Sequence, residues 1–162
     1  MKKIIFIIVI MASAFVQNGF AQLVPVNQED SMSSQLLQSY YNIKNALVAG
    51  NANTASLKAE EFVKTLNGID PKIINEATRN ALLKDAGNIS EKKGITSQRE
   101  SFATFSINMY TLIKAVKLTT DPVYYAYCPM KKAYWLSNEA AIKNPYYGNM
   151  MLTCGSVKET IK

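Results

Sequence analysis

The chain has no histidine and only two cysteines among its 162 residues. Without imidazole, the usual proton shuttle and the Ser-His or Cys-His pairs of nucleophilic catalysis lose their base. The cysteines, Cys128 and Cys154, are far apart in sequence, so the Cys-x-x-Cys signature of a dithiol oxidoreductase is also missing. Neighbouring carboxylates occur at Glu29-Asp30 and Glu60-Glu61, but on polar stretches where solvated surface charge is a simpler account than a catalytic dyad. The expectation is a protein that is not an enzyme.

Long apolar runs are scarce as well. The one at the N-terminus, Ile4 to Val16, follows Lys2-Lys3 and is soon ended by Gln17, Asn18 and Gly19. It is short for a bilayer span of about 20 residues, while Gly19-Phe20-Ala21 supplies the small residues of a cleavage site. Residues 1–21 therefore read as a signal peptide and 22–32 as a disordered linker. The expected product is exported, periplasmic or secreted, with no membrane span after cleavage; no cysteine near Ala21 suggests a lipid anchor. Removing Lys2 and Lys3 leaves 16 basic against 12 acidic side chains, scattered rather than clustered, so no nucleic-acid footprint is expected.

About 140 residues remain, the usual size of one domain with one core. Four segments carry apolar residues at helical spacing. The first holds Leu36, Tyr40, Ile43 and Leu47, widened by Leu37 and Tyr41, and Gly50 is its stop. The second, 54–66, places Ala55, Ala59, Phe62, Val63 and Leu66 on one face. The third opens at Asp70-Pro71 and runs to Glu91 with a looser stripe interrupted by Gly87. In the fourth, Phe102, Phe105, Met109, Leu112, Ile113 and Val116 follow Ser97-x-x-Glu100, which reads as a capping box. Such stripes are buried most simply by an antiparallel four-helix bundle over 33–118.

After Asp121-Pro122 the composition changes. Six of the nine tyrosines and the only tryptophan, Trp135, lie between Val123 and Tyr147. Residues 119–162 read as a Cys/Met/aromatic segment of the same domain, extended or irregular and packed on the bundle. Val123 to Tyr127 is strand-like, one short helix is expected near 137–142, and a second extended stretch near 150–154. The aromatics read chiefly as a seal on the helices; a wall of Tyr127, Trp135 and Tyr146 is the functional alternative. Asn144-Pro145-Tyr146-Tyr147-Gly148 looks like a turn that positions the second cysteine.

Sulfur concentrates in this segment, in Cys128-Pro129-Met130 and Met150-Met151-Leu152-Thr153-Cys154. Thiolate and thioether donors without imidazole suit Cu(I), whereas Zn(II) favours histidine or more cysteines and Mg(II) or Ca(II) need oxygen clusters. In an oxidising compartment the same two cysteines could instead form a permanent disulfide. Closing a loop of about 27 residues would be worth roughly 3 to 4 kcal/mol.

Several stretches carry a family likeness: Tyr127-Cys128-Pro129-Met130, Ala133-Tyr134-Trp135-Leu136-Ser137, Ile142-Lys143-Asn144-Pro145-Tyr146-Tyr147-Gly148 and Met151-Leu152-Thr153-Cys154-Gly155-Ser156-Val157. With Leu47-Val48-Ala49-Gly50 and Gln98-Arg99-Glu100-x-Phe102, they make the chain resemble a bacterial domain-of-unknown-function family, number three-three-four-seven in its series. The resemblance implies an exported protein, some members being fused to periplasmic adaptor subunits of heavy-metal efflux pumps. It implies soft-metal handling by Cys128, Met130, Met151 and Cys154, with Cu(I) as cofactor and a heavy-metal efflux or copper-handling protein as partner. The family's longer insert after Cys-Pro-Met is shortened here to Lys131-Lys132, which sets two cations beside the expected site. A secreted structural or protein-interaction domain with a Cys128–Cys154 disulfide and no metal stands as the alternative.

Overall fold

The computed structural model describes residues 28–162 of the chain, with side chains from Met32 onward. The expected signal peptide, 1–21, and most of the expected linker lie outside the described residues; the linker's last residues, from Gln28, already belong to the first helix. Helix α1 spans Gln28–Val48, α2 Ala52–Gly68, α3 Glu76–Glu91 and α4 Ile95–Ala115. Each packs on the next in sequence, with α1 against α2, α2 against α3 and α3 against α4. The short connections turn the chain back on itself, which is what makes sequential neighbours spatial ones.

The helix ends follow from local chemistry. At the end of α1 the Gly50 N–H bonds the Leu47 carbonyl and the Asn51 N–H reaches the Ala46 carbonyl, with Gly50 at φ 72°, the pattern of a Schellman cap. Asn51 and Asn75 cap α2 and α3 by accepting from the Thr54 and Thr78 amides. Two expectations shift here. The third helix begins at Glu76, because Asp70 folds its carboxylate onto the Lys72 amide in a turn and Asn75 supplies the cap. Helix α4 starts at Ile95 behind Gly94, so Ser97 is already inside the first turn and forms no capping box.

The expected stripes are the core. Leu36, Tyr40, Ile43, Leu47, Ala55, Ala59, Phe62, Leu66, Phe102, Phe105 and Met109 are all fully buried. Rings of Tyr40, Phe62, Phe102 and Phe105 pack between 4.8 and 6.1 Å apart, at stacked, tilted and edge-on angles. Buried Gln98 locks three helices: its Nε2 lies 2.8 to 3.2 Å from the Ala52, Ile89 and Lys92 carbonyls and the Ser56 hydroxyl.

The tail forms a small antiparallel sheet. Strands β1 (Val123–Cys128), β2 (Ala133–Ser137) and β3 (Ser156–Ile161) lie in the order β2-β1-β3. The short helix expected near 137–142 is not formed, since β2 pairs with β1 through Ser137 opposite Tyr124. The second extended stretch falls at β3 instead of 150–154, where a 3₁₀ turn, Gly148–Met150, takes its place. Strand β2 docks on the bundle through buried polar contacts: the Tyr40 hydroxyl accepts from the Leu136 amide at 3.0 Å and pairs with the Ser106 hydroxyl at 2.7 Å, joining α1, α4 and β2.

Arg99 of α4 ties the remaining loop down. Its Nη2 donates to the Leu47 carbonyl, which also takes the Gly50 N–H, at the end of α1 where a cation is favoured. Gly148, at φ 55°, sits against the same place: a β-carbon there would come 2.6 Å from both Arg99 Nη2 and the Val48 carbonyl. Two of the stretches that carry the family likeness, Leu47 to Gly50 and Gln98 to Phe102, thus meet with the Asn144–Gly148 turn at the end of α1.

Candidate sulfur site

Strand pairing explains why residues 128 and 154 meet. The β1–β3 ladder sets Tyr127 opposite Ser156, so the next residue of β1, Cys128, faces the chain just ahead of β3. Gly155 makes the approach possible. It adopts φ 147°, and a β-carbon would lie 2.8 Å from Trp135 Cη2 and 2.9 Å from the Tyr127 carbonyl oxygen. Cys128 is completely buried and Cys154 half-buried, and both are free thiols. The two thiols are within hydrogen-bond reach of one another, and the Cys154 sulfur also accepts the Met130 amide N–H. Burial, then Cys128 beside it, pushes the Cys154 thiol above the ordinary cysteine range.

Buried Asn144 is the clamp of this site. Its Nδ2 donates to Cys128 Sγ at 3.2 Å and to the Cys154 carbonyl at 2.7 Å, while its Oδ1 accepts from the Tyr146 amide at 2.8 Å. Its backbone N–H reaches the Leu152 carbonyl and its carbonyl takes the Gly148 N–H, at 2.8 and 3.0 Å. One side chain therefore touches both cysteine residues while its backbone closes the loop between them. A second N–H, from Lys131 in the β1–β2 turn, points at Cys128 Sγ at 3.4 Å; Lys132 turns the chain there at φ 54°. The sequence showed Asn144 as a turn former, but its grip on the sulfur depends on residues 16 positions away.

Of the four expected ligands, the two cysteines come together. Met130 shares the site through its backbone, and its side chain is 60 % exposed; Met151 is 39 % exposed and Met150 76 %. Among the described residues no three His, Cys, Asp or Glu gather as a metal cluster. An ion held here would therefore take two thiolates, with thioether, backbone or solvent completing the shell. The donor set fits a soft, low-coordinate ion and offers nothing to a hard one.

The expected aromatic wall divides. Trp135 and Tyr146 are core residues, edge-on at 6.1 Å, with the Tyr146 hydroxyl donating to the Tyr134 carbonyl. Tyr127 belongs to a different group, a half-buried row on the opposite face of the sheet. There Tyr110 stacks on Tyr125 at 4.1 Å, Tyr125 on Tyr134 at 4.7 Å, and Tyr134 meets Tyr127 at 4.6 Å. Alternation along β1 was the signal that could have separated these faces.

No helix among the described residues is long and apolar enough to cross a membrane. Comparison with curated proteins and with solved structures gives no match. A family model described as a protein of unknown function (DUF3347) matches residues 36–121, from the first helical stripe to the start of the sheet, and the sulfur-bearing tail lies beyond it. On that match over more than half its length, the chain belongs to the DUF3347 family of proteins of unknown function.

Proposed function

We propose that this protein is an exported, periplasmic soft-metal binding module of the Cu(I) type. Cys128 and Cys154 would be its thiolate ligands, with Met130 and Met151 as thioether donors, and it would serve a heavy-metal efflux or copper-handling partner. The observation that carries the reading is the contact of two free thiols, one buried and one half-buried, braced by Asn144 beside exposed methionines.

The test is titration of the reduced protein, residues 22–162, with Cu(I) against a competing chelator. One equivalent should bind, and Cys128→Ser and Cys154→Ser should each weaken binding by at least a hundredfold. Met130→Leu should weaken it several-fold. If both serine variants hold copper as tightly as the parent, the sulfur site is wrong.

A second reading draws on the same contact. Adjacent thiols in an oxidising compartment can close into a disulfide, making the protein a structural or interaction domain with no metal. Counting thiols in freshly isolated, unfolded protein separates the two: two free thiols exclude a permanent disulfide, and none before reduction excludes resting thiolate ligands.

A further inference from the structure

Four tyrosines on the sheet face away from the thiols form one continuous row of rings. Tyr110 of α4 lies 4.1 Å from Tyr125 at 19°, Tyr125 lies 4.7 Å from Tyr134 at 12°, and Tyr134 lies 4.6 Å from Tyr127 at 44°, centroid to centroid. Phenylalanine would pack as well in such a row, so the phenols call for a reason. The two ends differ in chemistry. At one, the Tyr110 hydroxyl donates to Glu159 Oε2 at 2.7 Å, and Lys114 Nζ holds Oε1 of the same carboxylate at 2.8 Å. At the other, Tyr127 borders both cysteines: it is the chain neighbour of Cys128, and its carbonyl lies against Gly155, the chain neighbour of Cys154. Its ring points away from the Cys128 side chain, so the link to the sulfur is the single peptide unit between them.

Electronic coupling falls exponentially with distance, and rings in contact are its short limit. A phenol that loses an electron becomes a very strong acid, so the missing electron settles where a base stands ready for the proton. Of the four hydroxyls, Tyr110's is the one bonded to a carboxylate. Lys114, then Tyr110, hold that carboxylate below the usual range, so it is ionised and able to accept. Burial, then Tyr110 and Tyr134, push Tyr125 up to about 12, which keeps it a neutral phenol in the middle of the row.

We infer that the row from Tyr127 through Tyr134 and Tyr125 to Tyr110 is a redox relay that draws oxidising equivalents away from the thiol pair and deposits them on Tyr110. A one-electron oxidant of the hydroxyl-radical class takes an electron at the Tyr127 end, and each ring refills its neighbour. Tyr110 supplies the last electron and passes its phenolic proton to Glu159 Oε2. The products are hydroxide, a neutral Tyr110 phenoxyl radical and a protonated Glu159. A sulfur that loses a hydrogen atom to the same oxidant is repaired along the same path, its electron coming from the row and its proton from solvent at half-buried Cys154. A small diffusible reductant of the ascorbate class then returns a hydrogen atom to Tyr110, and Glu159 releases its proton to water. The relay needs thiols and no metal, so a failure of Cu(I) binding leaves it standing.

The test applies photogenerated tris(bipyridine)ruthenium(III), a one-electron oxidant, to the reduced, metal-free protein. Radicals are trapped with 2-methyl-2-nitrosopropane and mapped by peptide mass spectrometry, and the surviving thiols are counted after unfolding. Tyr110 should carry the largest share of adduct in the parent. Glu159→Gln leaves every ring in place and should cut that share by roughly 10-fold or more, the loss expected when a positioned base is removed. Tyr125→Phe/Tyr134→Phe keeps the ring shapes but interrupts the row, and it should lower the Tyr110 adduct while thiols disappear several-fold faster than in the parent. Adducts spread over the nine tyrosines by exposure and unmoved by Glu159→Gln overturn the inference. Equal thiol loss in the parent and both variants overturns it as well.

Discussion

Replacing Lys44 with methionine should stabilise the protein at neutral pH. Lys44 lies on α1 with its side chain fully buried, and its Nζ has a hydroxyl partner, Ser137 Oγ at 3.3 Å, and the Tyr41 ring at 5.8 Å. It has no ion pair among the described residues. Burial lowers its pKa from 10.5 to about 8; Glu139 opposes the shift and Lys143 adds to it. The unfolded chain therefore keeps the proton between about pH 8 and 10.5 while the folded protein has released it, so stability rises with pH across that window. Below pH 8 both states are charged and the whole cost is borne, roughly 3 kcal/mol for a shift of this size. Methionine has nearly the same length and no charge, but it forfeits the contact with Tyr41 and one hydrogen bond, about 1 kcal/mol together. The net expectation at pH 7 is about 2 kcal/mol of added stability. Urea unfolding of both proteins from pH 7 to 10.5 reads it directly, with the difference narrowing as pH rises. A variant less stable than the parent at pH 7, or a difference that stays flat with pH, would show that the ammonium is well solvated where it sits.

The remaining predictions concern the joints of the fold. Gly148→Ala forces a β-carbon against the Val48 carbonyl and Arg99 at a positive φ, and should lower stability by roughly 2 to 4 kcal/mol in chemical unfolding, against well under 1 for Gly87→Ala, whose β-carbon would meet nothing. Gln98→Leu removes the donor shared by the Ala52, Ile89 and Lys92 carbonyls and should cost roughly 1 to 3 kcal/mol, visible as a lower urea midpoint with an unchanged slope. Asn144→Ala frees both cysteine residues from their common clamp: alkylation of the buried Cys128 should speed up more than tenfold, while amide exchange in α2 and α3 stays as in the parent. Unchanged Cys128 alkylation would mean that Asn144 does not hold the site.

The helices were legible in the sequence because a stripe every three or four residues admits one solution when there is one core to fill. Leu36 to Leu47 and Phe102 to Leu112 are buried where their spacing put them. Start signals were less readable: Ser97 and Glu100 satisfy a capping pattern, yet Gly94 begins the helix, since which N–H groups lack partners depends on where the preceding chain leaves α3. In the tail the alternation of β1 was visible but its partners were not. Strand β3, with Ser156, Lys158 and Thr160 exposed, has too little apolar character to announce itself and exists by pairing with β1.

The amino-acid sequence by itself determined the class of chemistry open to this protein. It has no imidazole, two thiols, and methionines within four residues of each, and folding can add neither an imidazole nor a third thiol. Tertiary structure decided which of those groups meet. A ladder register, a glycine that only Gly155 could be, and the reach of Asn144 bring residues 26 positions apart into contact, and the burial of Trp135 and Tyr146 removes them from the surface. Such contacts hang on cross-strand pairing and on space left by a missing β-carbon, which no spacing rule along one chain records.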